Sequence, residues 1–404
     1  MEYISVKKVA EKWGVTERYV QKLCNEGRIE GVTKFGKSWM VPNTAVIKSV
    51  HTPKKETISR KSPFLDMTDI YNVIGGADEC AEKLASNPEA YELFKAQIAY
   101  RRGDIDQVYA NARVFMDSHE GFYSVMGASM LLALCAIWRG DIHLWNEVKH
   151  YIYTSPYKTE QEREMISLTL AIIDSSIYNH NDFPDWFVSG NFEALPADSH
   201  PAAKVYYVKF LYMSAFAIAA RQTNIEGIQG LALMRMIPST IELLVTQAVV
   251  DKTIVPEIYL RMSCAVAYHN AGNKKKAIMH IDKAVALALA DGMYGILTEY
   301  VRHFGGLLEE RIKLQSEEAC EKVMHLYDVY RFGWARLSGQ IRNKYVATNL
   351  TSKEREVAKL TAFGMTTSEI AKILNVSDST VKKTISRIIN KTGIQDKSEF
   401  AYII

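Results

Sequence analysis

Three groups of residues in this 404-residue chain have the types and spacing for chemistry. The first is Thr380, Lys382, Lys383, Ser386 and Arg387, which at helical spacing lie opposite an apolar stripe of Val381, Ile385, Ile388 and Ile389. An exposed helix face that is basic and hydroxylic suits the major groove of duplex DNA. The second is a basic hairpin carrying Lys34, Lys37 and Trp39. The third is Gly31-Val32-Thr33-Lys34-Phe35-Gly36-Lys37-Ser38, which satisfies the phosphate-loop pattern GxxxxGK[ST] letter for letter.

The phosphate loop fails on context. It works only between a buried strand and a helix whose N-terminal amides hold the phosphates. Only Arg28, Ile29 and Glu30 separate Gly27 from Gly31, too few for the strand. Pro42 follows Ser38 so closely that a helix there would be broken at a cost of about 3 kcal/mol. An acidic partner strand at Leu170-Ala171-Ile172-Ile173-Asp174 lies inside a helical pattern. Nucleotide binding is not expected.

No enzyme is expected either, since no nucleophile–base set or paired carboxylates occur at a defined spacing. Asp104, Asp141 and Asp182 follow turn residues and read as helix caps. The five cysteines lie far apart, and His119, His143, His150, His180 and His200 lack ligand spacing. The expectation is reduced thiols, no metal and no cofactor.

The elements that must position the first group are three short helices after Leu350. Thr351 or Ser352 caps the first, whose apolar face is Val357, Leu360 and Thr361 and which Gly364 stops. Thr366 or Thr367 starts the second, with Ile370, Ala371, Ile373 and Leu374. Ser377 caps the third. At the other end, Ser5 caps a helix through Val9, Ala10 and Trp13, and Thr16 caps a helix with Tyr19, Val20, Leu23 and Cys24. From Ile29 to Val41 the period changes towards a β-hairpin with Gly31 and Gly36 as turn residues.

The C-terminal segment resembles the LuxR-type DNA-binding domain. The residues that carry the likeness are Leu350-Thr351, Glu354-x-Glu356-Val357, Gly364, Glu369-Ile370-Ala371, Leu374-x-Val376-Ser377, Thr380-Val381-Lys382 and Lys391-x-Gly393. The resemblance implies that Lys382, Lys383 and Ser386 contact bases, and that Thr366, Ser368 and Thr380 contact phosphate. Thr384 departs from the family's usual His, Lys383 from an Asn or Val, and Thr392 from a Leu. Residues 1–47 resemble the excisionase and MerR-like winged-helix module through Val9-Ala10, Val15-Thr16, Val20, Leu23, Gly27-Arg28-Ile29 and Phe35-Gly36-Lys37-Ser38-Trp39-x-Val41-Pro42. That likeness implies a groove-facing set of Glu17, Arg18, Gln21 and Lys22, with Lys34 and Lys37 on a basic wing and Lys37 on the phosphate backbone.

Between the ends the pattern is helical and repeats. Ala99-Tyr100-Arg101-Arg102-Gly103-Asp104-Ile105 recurs as Ala136-Ile137-Trp138-Arg139-Gly140-Asp141-Ile142, with a looser copy at Tyr178–Phe183. The best single copy is Ala267-Tyr268-x-x-Ala271-Gly272-Asn273, with Ala277 and Ala284 on the following helix. Glycine at a tight inter-helix turn, followed by a capping Asp or Asn, resembles the tetratricopeptide (TPR) repeat. The tyrosines and phenylalanines at 206, 207, 210, 212 and 216 read as helix-packing core. The expected fold is mainly α: a TPR-like α-solenoid over 64–338, a winged helix-turn-helix with a small β-hairpin over 1–47, and a four-helix LuxR-type helix-turn-helix over 350–404. Linkers are expected at 48–63 and 339–349.

Charge is distributed to match. Residues 1–62 carry a surplus of seven positive charges and residues 340–404 a surplus of five, whereas the middle carries nine excess negatives. No signal peptide follows Met1 and the run Phe210–Ala220 is too short to span a bilayer, so no membrane role and a cytoplasmic location are expected. The expected partners are double-stranded DNA, a second copy of the chain on that DNA, and an effector, small molecule or protein, on the TPR-like middle. The alternative is an interaction scaffold whose end modules serve protein contacts. The layout resembles the sensor-plus-reader half of MalT-like regulators without their ATPase domain.

Overall fold

The computed structural model describes residues 3–13, 16–25, 29, 31–36, 38–45, 61–118, 121–179, 183–220, 224–225, 228–342, 350–362, 365–392 and 400. The chain divides into a unit of residues 1–59 and a unit of residues 60–404.

In the first unit, β1 (Tyr3–Ser5) leads into α1 (Val6–Trp13) and α2 (Glu17–Asn25), followed by β2 (Thr33–Phe35) and β3 (Ser38–Pro42). β3 is the central strand, antiparallel to both others, with Ile4 opposite Val41 and Lys34 opposite Trp39. Val9, Val20, Leu23, Ile29 and Val41 fill the core between helices and sheet. The Ser5 hydroxyl accepts from the Lys8 amide at 3.4 Å, as expected of a cap. β1 was not expected: three residues carry no readable alternation, and pairing with the free edge of β3 makes them a strand. Gly31 lies in a turn, Thr33–Phe35 form a strand, Gly36 takes φ +65°, and Phe35 pairs with Ser38 at the start of β3. Ser38 opens a strand rather than a helix, so no helix N-terminus faces this loop.

The second unit is helical. Its helices are α3 (Ala77–Glu82), α4 (Pro88–Arg102), α5 (Ile105–Ser118), α6 (Phe122–Arg139), α7 (Ile142–Thr154), α8 (Glu160–Ser176) and α9 (Asp185–Ser189). They continue as α10 (His200–Ala220), α11 (Gly230–Val250), α12 (Ile254–Asn270), α13 (Lys274–Ala290), α14 (Tyr294–Tyr300), α15 (Leu307–Gln315) and α16 (Glu317–Arg342). A short strand pair, β4 (Asn224–Ile225) with β5 (Ile228–Gln229), precedes α11. Turn chemistry follows the sequence at the repeats. Gly103 (φ +94°) and Gly140 (φ +62°) terminate α4 and α6 in the left-handed conformation. The Asp141 carboxylate then accepts from the His143 and Leu144 amides, and the Asn273 side chain from the Lys276 amide. Asp182 and His180 lie outside the described residues.

Consecutive helices stack from α4 to α7 and from α10 to α13, and then the chain returns. α16 packs across α6 and α14 across α4. Two glycines permit these close crossings: any side chain on Gly333 would run into the Trp138 carbonyl, and any on Gly295 into the Tyr100 and Arg101 carbonyls. Both expected linkers include residues that the structure describes as packed or helical. Ser62 and Pro63 are buried, with the Pro63 carbonyl accepting from Gln97 at 2.6 Å, and α16 runs on to Arg342. α6 lies in an uncharged run longer than Phe210–Ala220 and is long and apolar enough to cross a membrane. Here it is mostly buried among α4, α5, α7, α8 and α16, as the core helix of a helical body would be.

Candidate nucleic-acid interface

The C-terminal helices are α17 (Ser352–Ala362), α18 (Thr367–Leu374) and α19 (Asp378–Thr392). Each starts on a hydroxyl cap. The Thr351 hydroxyl accepts from the Glu354 amide at 3.2 Å while the Glu354 carboxylate accepts from the Thr351 amide at 2.8 Å. Thr366 and Glu369 repeat the same reciprocal box at α18. Glu369 is held below the usual carboxylate range by the Thr366 amide and hydroxyl. Ser377 accepts from the Thr380 amide at 3.2 Å and so opens α19. Between α18 and α19, Asn375 takes φ +54° and turns the chain. Asn tolerates that conformation better than a branched residue would.

Packing sets which face of α19 is free. Val381 and Ile388 are fully buried, and Thr384 is turned inward with its hydroxyl donating to the Thr380 carbonyl at 2.9 Å. Thr380, Lys382, Lys383, Ser386 and Arg387 are all exposed on the other side. Thr366 and Ser368, the expected phosphate contacts, are exposed at the start of α18, on the helix that precedes it. Both hydroxyls already have partners: Thr366 donates to Glu369, and Ser368 donates to Asp378 at the first turn of α19. The sequence reading did not assign Asp378 this role, and only the approach of the two helix starts discloses it.

Two apolar assignments are corrected. Ile389, expected on the buried stripe of α19, is 37% exposed, and Ile373, placed with the apolar residues of the second helix, is 55% exposed. On α19 the inward positions are 381, 384, 385 and 388, so Thr384 takes an inward place beside Val381 and Ile388 while Ile389 lies on the outer side. The expected fourth helix falls on residues 393–404, of which Phe400 alone is described; it is buried.

The three-helix module also docks within its unit. α17 packs against α10, and the Arg355 guanidinium donates to the Tyr327 hydroxyl of α16 at 3.1 Å. Lys359 sits in this seam. Burial pushes its ammonium down to about 8, against the opposing pull of Glu356.

In the first unit, Glu17, Arg18, Gln21 and Lys22 are exposed on α2, opposite buried Val20, Leu23 and Cys24. Lys34 is exposed on β2, its ammonium 4.6 Å from the Trp39 ring centre. Lys37 lies outside the described residues. Among the described residues, no group of three or more His, Cys, Asp or Glu could hold a metal ion.

Residues 348–404 match the family described as bacterial regulatory proteins, luxR family (GerE). No curated protein and no solved structure matches the chain. The match covers the three capped helices and the exposed face of α19. Residues 348–404 are therefore a luxR-family helix-turn-helix domain, and the chain carries the DNA-binding module of a transcription regulator.

Proposed function

We propose that the chain regulates transcription by laying α19 in the major groove of an operator, with Lys382, Lys383 and Ser386 on base edges and Arg387 beside them. Thr366, Ser368 and Thr380 meet the flanking phosphates. The observation that carries this reading is the division of α19 into a buried side and a side presenting two lysines, a serine and an arginine. Two copies of the chain occupy a two-fold related site, as expected for a helix-turn-helix reader. The α2 face and β2 of the first unit form a second, weaker DNA contact, which the local surplus of positive charge supports. The helical middle is the part that senses an effector, and its acidic character keeps it off the phosphate backbone.

Selection of bound duplexes from a random library by the full-length chain tests the reading. A recovered consensus that disappears in the K382A/K383A variant is the expected result. Recovery of the same consensus by wild type and variant would remove α19 from the groove.

A further inference from the structure

The helical middle holds a buried charge pair that the DNA reader does not use. A partly open cavity of about 40 Å³ lies among α8, α10, α12, α14 and α16, with Lys209 and Glu299 in its wall. The Lys209 ammonium donates to Glu299 Oε2 at 2.9 Å, and the two side chains are 14% and 10% exposed. Glu299 Oε1 is already filled, accepting from the Tyr100 and Tyr259 hydroxyls at 3.1 and 3.0 Å. Among the described residues, the Lys209 ammonium otherwise faces the rings of Tyr206, Tyr259 and Tyr300, 5.0, 4.9 and 5.9 Å from their centres. An ammonium has three donors. Both members of the pair line the cavity, and neither has its bonding capacity filled by these contacts, Lys209 as donor and Glu299 Oε2 as acceptor.

Electroneutrality decides what can enter. An anion alone or a cation alone would leave one uncompensated charge among buried tyrosines, at a cost of several kcal/mol. A zwitterion adds no net charge and can satisfy both partners at once. The volume restricts it further: about 10–15 Å³ of such space holds one water, so a cavity of about 40 Å³ takes a molecule of only a few heavy atoms.

We propose that this cavity binds a small free α-amino acid, its carboxylate on Lys209 and its ammonium on Glu299, and that occupancy changes DNA binding through α17. The coupling rests on position. Tyr212 in the cavity wall belongs to α10, the helix on which α17 is seated. His303, also in the wall, bonds the Tyr178 hydroxyl at 3.1 Å. Burial first, and then the cations Arg302, Lys359, Lys209 and Arg355, hold His303 well below its ordinary pKa. It thus lies within electrostatic reach of both the cavity lysine and the α17 cations Lys359 and Arg355. A ligand that moves the Tyr178–His303 bond changes the electrostatic environment of these two α17 cations. The coupling rests on the DNA-reading function proposed above; the binding does not.

The test is calorimetry and thermal melting of the full-length chain with glycine, L-alanine and L-serine, and with acetate and methylammonium as half-ligands. At least one amino acid should bind with a Kd of about 1 mM or tighter and raise the melting temperature, with neither half-ligand doing so. K209M should abolish binding. Saturating amino acid should shift duplex affinity by roughly fivefold or more. No binding by any of the three, acetate binding as tightly as the amino acid, or unchanged binding by K209M would each overturn the site. The wild-type comparison of zwitterion with half-ligands decides even if K209M fails to fold. Amino-acid binding with no duplex binding in any form would uphold the cavity and reject the DNA-reading function instead. Unchanged duplex affinity at saturation would overturn the coupling.

Discussion

Lys391, near the end of α19, donates to Glu354 Oε2 at the start of α17 across 2.8 Å, joining the two ends of the helix-turn-helix. The Glu354 side chain is 5% exposed and also accepts from the Thr351 amide, so one carboxylate both caps α17 and ties it to α19. Burial works to raise its pKa, but Lys391 and the Thr351 amide and hydroxyl outweigh that and hold it below the ordinary value of 4.5.

A carboxylate with a depressed folded-state pKa contributes stability that is fully present above its unfolded value and is lost as pH falls through the folded one. Melting of the wild-type domain should therefore weaken as pH drops below about 4.5, and E354Q should show a flatter profile. At pH 7, K391M should cost about 1–2 kcal/mol, below the range for a fully buried pair because Lys391 is a third exposed. Unchanged melting in K391M would show that the bridge adds nothing.

Lys359 carries the opposite sign of pH dependence. Its folded-state pKa of about 8 lies below the ordinary lysine value of 10.5, so the unfolded chain binds the proton more tightly. The cost of burying that charge is present at neutral pH and is relieved as pH rises from about 8 towards 10.5. Wild type should gain stability over that interval relative to K359M, in urea titrations at fixed temperature. A constant difference between the two across the interval would place Lys359 outside the seam.

Loss of Lys382 and Lys383 should act on DNA and leave the fold alone, because both side chains are exposed. Each lost base contact should cost about 1–3 kcal/mol of affinity for the selected duplex, with relaxed preference at the contacted positions. Fluorescence anisotropy at several salt concentrations measures this, and the melting temperature of K382A/K383A should match wild type.

The middle should be most sensitive at Asp66. Its carboxylate accepts from Arg101 Nε at 2.7 Å, and both side chains are fully buried. Arg101 also donates to the Tyr259 hydroxyl at 2.9 Å, which in turn donates to Glu299. D66N leaves a buried guanidinium unbalanced and should cost about 3–5 kcal/mol in denaturant unfolding. A loss under about 1 kcal/mol would mean that the network tolerates the change by rearrangement.

Local rules were legible in the chain by itself. The caps Ser377 and Asp141 and the left-handed glycines 103 and 140 follow from residue type and spacing, because their partners lie within four residues along the chain. Residue type narrows the starts of α17 and α18 to Thr351 or Ser352 and Thr366 or Thr367, of which the structure uses Thr351 and Thr366. Contacts between distant segments had no such signal. The pairing of β1 with β3, the Lys391–Glu354 bridge, the inward turn of Thr384 at the expense of Ile389, and the return of α16 across α6 at Gly333 were set by packing. The Arg101, Tyr259, Glu299 and Lys209 network spans more than 190 residues of chain, since Tyr100 and Glu299 are 199 apart. Periodicity assigns each of these residues to a helix, but only the tertiary fold brings their charges together. A buried charge is tolerated only where that fold supplies its partner, so the pairing exists in the packed core and nowhere in the pattern.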